Sequence, residues 1–285
     1  RFADMLSRVS AAGARWFSLC DLKGGYHQWA LSADTQRILT ISTHKGLLTP
    51  LRLFEGPCTA PGYFQGLMQQ VHATQLYRCL EIWLDDLMLH SSTKAKHLID
   101  LRQFLRTCRA LNIKLHPDKC FLGVQQIVWI GHWMQVIEDT LYITPPSTYV
   151  EKLKAFTPPD TAGELKHYTG CIAWVVQHLP RANHYITLLN TMLPLPYKKQ
   201  ARLQWTKETQ QAFATLQELV QAPETLLVPD SNASFEVVSD ASRTGYGAVL
   251  LQDSKPVAFF SGKWKTLRDQ RLPPRSHCRS TRHRC

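Results

Sequence analysis

Asp85 and Asp86 stand side by side within an otherwise apolar run, Glu81-Ile82-Trp83-Leu84-Asp85-Asp86-Leu87-Met88-Leu89-His90. Adjacent carboxylates between apolar strands repel one another unless a cation sits between them. Mg²⁺ is the natural partner, since it prefers carboxylate oxygens, water and substrate phosphates. Asp is also a common turn former, so the pair reads equally as a hairpin bend with solvated side chains. A third acid has the same character: Asp21 closes the apolar run Trp16-Phe17-Ser18-Leu19-Cys20. A lone carboxylate in such a run is expensive to bury. Asp21 is either a strand-end cap ahead of the Lys23-Gly24-Gly25 turn or a further metal ligand brought beside the hairpin by strand pairing. The chemistry within reach of such a set is that of a divalent-metal site.

The elements that must position these acids can be read from periodicity. Residues 4–12 suit a short helix ended by Gly13, and residues 16–22 a buried strand. Residues 37–53 read as a hairpin turning at Lys45-Gly46. Ala60-Pro61 opens a helix whose stripe is Phe64, Leu67, Met68 and Val71. After the acidic hairpin, Leu98, Leu101, Leu105, Cys108 and Leu111 mark a second amphipathic helix, stopped near Asn112. Residues 127–133 read as one strand with a glycine kink at Gly131. This order of strands, hairpins and helices is that of an α+β domain. Beyond Pro145-Pro146 the pattern turns mainly helical, with a capping box at Thr161–Glu164 and a helix capped by Thr206. A β-rich unit begins near residue 233, with strands expected at 235–240, 245–251 and 256–260; the first ends in a fourth acid, Asp240.

Composition excludes several classes. No uninterrupted apolar run is long enough to span a bilayer, so no membrane partner is expected. The eight cysteines lack a C-x-x-C pair and the twelve histidines lack paired spacing, which argues against zinc and for reduced thiols in an intracellular, cytoplasmic protein. The net charge of +11 is unevenly spread: eight Lys and Arg but one acid follow Ser261, and the rest of the chain is only mildly basic. Charge therefore permits a polyanionic partner without identifying one.

The residues around Asp21 bring a family into view. Asp21-Leu22-Lys23-Gly24-Gly25-Tyr26-His27-Gln28 resembles the D-L-x-S-G-Y-H-Q segment of reverse transcriptases, in particular those of gypsy-type LTR retrotransposons. Ala60-Pro61-Gly62-Tyr63-Phe64-Gln65 resembles their A-P-x-x-F-Q helix start, and Trp83-Leu84-Asp85-Asp86 their Y-L-D-D box with Trp for Tyr. Leu115 to Cys120 is similar to the L-N-P-x-K-C loop, Ile130-Gly131-His132 to the L-G-H primer grip, and Trp205-Thr206 with Ala212-Phe213 to the helix leading into ribonuclease H. Val238-Ser239-Asp240-Ala241-Ser242 and Gly245 to Leu250 resemble the first two strands of that domain. The likeness covers about residues 14–261 in the family's order.

The resemblance implies a right-hand polymerase palm with partial fingers over residues 1–137 and a helical thumb and connection over 138–232. A truncated ribonuclease H-like unit follows at 233–261, then a basic, disordered tail at 262–285. It implies two-metal nucleotidyl transfer with Mg²⁺, or Mn²⁺ in its place, held by Asp21, Asp85 and Asp86 as catalytic residues. Tyr26, Gly56, Gln65 and Lys119 are implied at the nucleotide, Tyr26 as the flat ring that selects deoxynucleotides. Gly131, His132 and Trp133 are implied at the primer, and Asp240 as a ribonuclease H carboxylate. The partners implied are an RNA or DNA template-primer and deoxynucleoside triphosphates, in the cytoplasm or within a virus-like particle. The sequence indicates no oligomeric state. Two departures favour a second reading, an inactive retroelement remnant that folds and at most binds nucleic acid. Only twenty residues precede Asp21, and Glu55 stands where the family has an aromatic or amide. The residues after Ser261 match nothing expected of the family.

Overall fold

The structure, a computed structural model, describes residues 2–230, 233–241, 245–263 and 280–281. The chain divides into two compact units, Arg1–Ile130 and Gly131–Cys285. In the first, helix α1 (Phe2–Ala11) leads into strand β1 (Trp16–Asp21), helix α2 (Ala33–Ile38) and the small hairpin β2 (Ile41–Thr43) and β3 (Gly46–Leu48). Helix α3 (Ala60–Val71), hairpin β4 (Leu80–Trp83) and β5 (Asp86–Ser91), helix α4 (Lys94–Ala110), β6 (Phe121–Val124) and β7 (Gln126–Trp129) follow. Four of these strands form an antiparallel sheet in the order β4-β5-β1-β6.

The sheet is anchored by what its residues must hide. Phe64 and Met68 of α3 and Leu101, Phe104 and Cys108 of α4 join Cys20, Leu80, Ile82, Leu87 and Leu89 in one core. The buried face of α4 differs from the expected stripe. Leu101 and Cys108 are buried as expected, but Leu98, Leu105 and Leu111 are exposed, and His97 and Phe104 are buried in their place. The reason is polar: His97 is drawn inward by hydroxyls on two strands. Ser91 Oγ donates to Asp100 Oδ2 at 2.8 Å and lies 3.1 Å from His97 Nδ1. With the Ser91 proton so committed, Nδ1–H donates and His97 Nε2 accepts from Ser18 Oγ at 2.7 Å. Ser18 Oγ in turn accepts from the Gly123 amide at 2.9 Å. This chain of bonds joins β1, β5, β6 and α4 and leaves no polar atom of His97 unpaired.

Two local expectations are corrected. Residues 37–53 are not one hairpin, because Ser32 caps a helix by accepting from Thr35 N, and strand pairing begins only at Ile41. Nor do residues 127–133 form one kinked strand. β7 ends at Trp129, and Ile130 (φ 45°) and Gly131 (φ 72°) turn the chain through left-handed geometry.

The second unit holds β8 (His132–Ile137), β9 (Thr140–Thr144), α5 (Ser147–Lys154), α6 (Ala162–Val175), α7 (Ala182–Asn190) and α8 (Lys207–Gln221). Its further strands are β10 (Leu226–Leu227), β11 (Glu236–Ala241), β12 (Gly245–Gln252) and β13 (Lys255–Lys263). Leu165, Tyr168, Ile172 and Val175 of α6 are buried with Phe213, Leu216 and Val220 of α8. Both expected caps are present: Thr161 with Glu164, and Thr206 with Thr209. β11 pairs with β12 and β12 with β13, which runs on through Gly262 and Lys263, two residues assigned to the tail from sequence. The rest of that tail, apart from Ser280 and Thr281, lies outside the described residues.

One core residue makes a pH prediction. His72 is 1 % exposed, stacks on Phe104 at 4.9 Å, and neither of its ring nitrogens has a partner among the described residues. Burial depresses its pKa from 6.5 to about 4. Between those values the unfolded chain binds a proton that the folded chain rejects, so stability falls as pH drops through that window. His72→Phe should keep the stack and remove the dependence. Urea melts at pH 7 and near pH 4.5 should show wild type losing about 2 kcal/mol more than the variant.

Candidate active site

β1 and β5 pair antiparallel in register from Trp16↔Ser91 to Asp21↔Asp86. Directly opposed residues of such a pair share one face, with Cβ atoms about 5 Å apart. The sheet therefore sets two carboxylates side by side. The bend that carries their neighbour is not the Asp85-Asp86 pair expected from sequence. Trp83 pairs with Asp86, so the turn residues are Leu84 and Asp85, and Asp86 is the first residue of β5. Leu84 has φ +56°, a positive value that primed hairpin turns require and that a side chain makes costly. Asp85 is exposed at the tip, and Trp83 beside it is 45 % exposed.

The electrostatics register this crowding. The Asp86 carboxyl is pushed above the usual carboxylate range, first by burial and then by the charges of Asp85 and Asp21. One cation stands close: Lys119 Nζ lies 3.4 Å from Asp21 Oδ2. Its loop is fixed by backbone pairing that continues past β1, with His116 N donating to Asp21 O at 2.9 Å and Lys23 N to Lys114 O at 3.0 Å. The Gln28 carboxamide fastens the same place, donating to the carbonyls of Lys23 and Lys114 and accepting from Lys114 N at 2.7 Å. Sequence reasoning quoted Gln28 as the end of the Asp21 motif but gave it no role, because two of its bonds reach Lys114, 86 residues away.

The other expected residues distribute as follows. The Tyr26 ring stacks on Phe64 at 4.6 Å and 16°. Its phenol pKa is raised by desolvation and by the charges of Asp85 and of Glu55, an exposed glutamate. Gly56 has φ +130°, a conformation side chains rarely adopt. Gln65 does not stand free. Its Nε2 donates to Ile82 O at 3.0 Å and its Oε1 accepts from Leu84 N at 2.7 Å.

In the second unit, a Cβ on Gly131 would lie 2.8 Å from the Trp174 ring, so α6 leaves room there only for glycine. His132 is buried, with its Nε2 2.8 Å from Gln177 Nε2, and the Trp133 indole donates to Gln135 at 3.4 Å. Asp240 is exposed on β11 opposite Gly247. It borders a cavity of about 630 Å³ that Arg181, His184, Tyr185, Tyr246 and Phe260 also line.

Among the described residues no three His, Cys, Asp or Glu side chains form a ready-made metal cage. An open acidic cluster of this kind suits an ion that brings oxygen ligands with it, as a phosphate-bound divalent cation does. No helix among the described residues is long and apolar enough to cross a membrane.

Comparison with known proteins agrees with these features. Residues 3–134 match the family described as reverse transcriptase (RNA-dependent DNA polymerase). Residues 205–275 match the RNase H-like domain found in reverse transcriptase, so the likeness continues beyond Ser261 into residues expected to match nothing. The retrovirus-related Pol polyprotein from transposon 412 of Drosophila melanogaster is 27 % identical over 269 residues, which are 92 % of this chain and 21 % of that protein. The transposon Tf2-3 polyprotein of Schizosaccharomyces pombe is 25 % identical over 265 residues, 91 % of this chain and 19 % of that one. This chain thus spans about a fifth of the length of these relatives. Among solved structures, the foamy viral protease-reverse transcriptase in complex with RNA/DNA hybrid has a TM-score of 0.80 at 18 % identity, covering 96 % of this chain and 36 % of that one. The same fold is seen in the foamy viral protease-reverse transcriptase dRH in complex with double-stranded DNA, with a TM-score of 0.79 at 18 % identity and 91 % and 45 % coverage.

Crowded carboxylates cost stability when no cation is bound. Asp86→Asn should therefore raise the melting temperature in EDTA, through a gain of about 1 kcal/mol or less. In millimolar Mg²⁺ the wild type should gain more than the variant and narrow the gap; thermal melts in the two buffers check both statements.

Proposed function

We propose that this chain, whose residues 3–134 belong to the reverse transcriptase family and whose residues 205–275 match its RNase H-like domain, is the RNA-directed DNA polymerase part of a retroelement polyprotein. The observation that carries this reading is the register that opposes Asp21 to Asp86 with Asp85 beside them in the turn. The family normally uses divalent metal ions, and Asp21, Asp85 and Asp86 are the residues that would hold Mg²⁺, or Mn²⁺ in its place. Such ions, when bound, neutralise charge on the attacking 3′-oxygen and on the leaving pyrophosphate.

What falls to the protein is positioning and electrostatics. The stacked Tyr26 ring presents a flat, fixed surface beside Asp85 that would crowd a 2′-hydroxyl and so favour deoxynucleotides. Lys119, 3.4 Å from Asp21, would offer positive charge to departing pyrophosphate. The turn at Gly131 and the buried His132 give β8 a rigid start, suited to support a primer strand. Sequence is read by base pairing to the template, so protein contacts to an RNA or DNA template-primer go to backbone and duplex shape.

Primer extension on poly(rA)/oligo(dT) with deoxythymidine triphosphate and Mg²⁺ or Mn²⁺ tests the reading. Extension should occur and should fall on the order of a hundredfold or more in Asp85→Asn. Equal extension by that variant would end the assignment. One observation supports an impaired enzyme: Glu55 is exposed and its charge reaches Tyr26. A carboxylate there repels a triphosphate, and relief of about 1 kcal/mol corresponds to roughly fivefold. Glu55→Gln should lower the nucleotide KM by about that factor with kcat little changed.

The RNase H-like residues are a different matter. Cleavage of an RNA/DNA hybrid needs several carboxylates from separate elements. Here Asp240 stands near the end of β11, within the matched stretch, and after Ser261 the sequence holds one further acid, Asp269, which also lies within that stretch. No Mg²⁺-dependent hybrid cleavage is expected from this chain. Cleavage that Asp240→Asn abolishes would show that further ligands are present.

A further inference from the structure

We propose that Gln65 is a positioning residue that holds the turn carrying Asp85. The inference deepens the polymerase reading and rests on it only for its catalytic consequence. A carboxamide presents an acceptor oxygen and a donor nitrogen on one rigid plane, and here each makes a bond to the same piece of backbone. Nε2 donates to the Ile82 carbonyl at 3.0 Å, on the last turn-ward stretch of β4. Oε1 accepts from the Leu84 amide at 2.7 Å, inside the turn itself. Ile82 pairs with Leu87 and Trp83 with Asp86, so the clamp spans the closing pairs of the hairpin.

Leu84 is where such a clamp is needed. Its φ of +56° carries the cost of a side chain in left-handed geometry. Without a partner for its amide the turn would relax toward other conformations, and Asp85, one bond further on, would move with it. Gln65 is itself held by its helix: Phe64 and Met68 on either side are fully buried in the sheet core. The side chain thus transmits the rigidity of α3 to an exposed acid on a strained bend.

The test uses the full chain with Gln65→Met, which keeps the length of the side chain and removes both bonds, and Gln65→Glu, which keeps an acceptor for the Leu84 amide. Hydrogen exchange read at single amides comes first. In Gln65→Met the Leu84 amide should exchange on the order of tenfold faster, with the Phe104 amide in α4 unchanged as proof of folding. Gln65→Glu should restore most of the protection at Leu84. In primer extension, Gln65→Met should lower kcat and leave the nucleotide KM within about twofold, the pattern of a displaced reacting group. Unchanged exchange at Leu84 in Gln65→Met would overturn the clamp, and so would a raised KM with kcat intact. If neither wild type nor variant extends a primer, the polymerase reading fails, and the exchange rates still decide the clamp.

Discussion

Antiparallel pairing of β1 with β5 forces two like charges into register, and much of the first unit serves to hold them there. Six consecutive residue pairs run from Trp16↔Ser91 to Asp21↔Asp86, and the repulsion falls on the last pair alone. The other pairs lie over a core of Phe64, Met68, Leu101 and Phe104, whose burial outweighs a cross-strand repulsion of about 1 kcal/mol or less. The hydroxyl–imidazole chain through Ser18, His97, Ser91 and Asp100 adds directional bonds across the same two strands. A sheet of this kind can keep acids crowded at the end of its two central strands because their interior cannot slip by one residue without exposing that core.

Around the acidic end, backbone does much of the fastening and long polar side chains do the rest. Gln28 bridges the turn after Asp21 to the loop that leads to Lys119, and Gln65 bridges α3 to the bend before Asp86. Both carboxamides work between segments remote in sequence, which short capping residues cannot do. In the second unit the comparable constraint is steric, with Trp174 of α6 occupying the space that a side chain at residue 131 would need.

Much of this was legible from sequence where the signal is local. The apolar runs marked β1, β4 and β5, Pro61 marked the start of α3, and Thr161 with Glu164 marked the cap of α6. The α+β class and the meeting of the Asp21 strand with the acidic hairpin followed from these. What was misread has physical causes that a single window of sequence does not hold. The inward face of α4 was taken from its leucines, yet His97 turns inward because Ser18 and Ser91 from other strands satisfy it. Asp86 was read as part of the bend, although a two-residue turn at Leu84-Asp85 gives it to the strand. The bonds of Gln65 to backbone groups 17 and 19 residues away are likewise invisible to a local window.

Arg8 and Glu81 add a constraint of another kind. The guanidinium of α1 meets the fully buried Glu81 carboxylate of β4 through two bonds, 2.8 and 2.6 Å, while lying 4.5 Å from the centre of the Tyr77 ring. Losing Arg8 would strand the buried Glu81 charge, whereas replacing both with apolar side chains of similar volume would not. A change at Arg8 alone is therefore barred more strongly than a paired one. Over evolutionary descent, residues 8 and 81 should change together or not at all, 73 positions apart in the chain. That coupling would leave a covariation signal between the first helix and the strand that leads to the acidic turn.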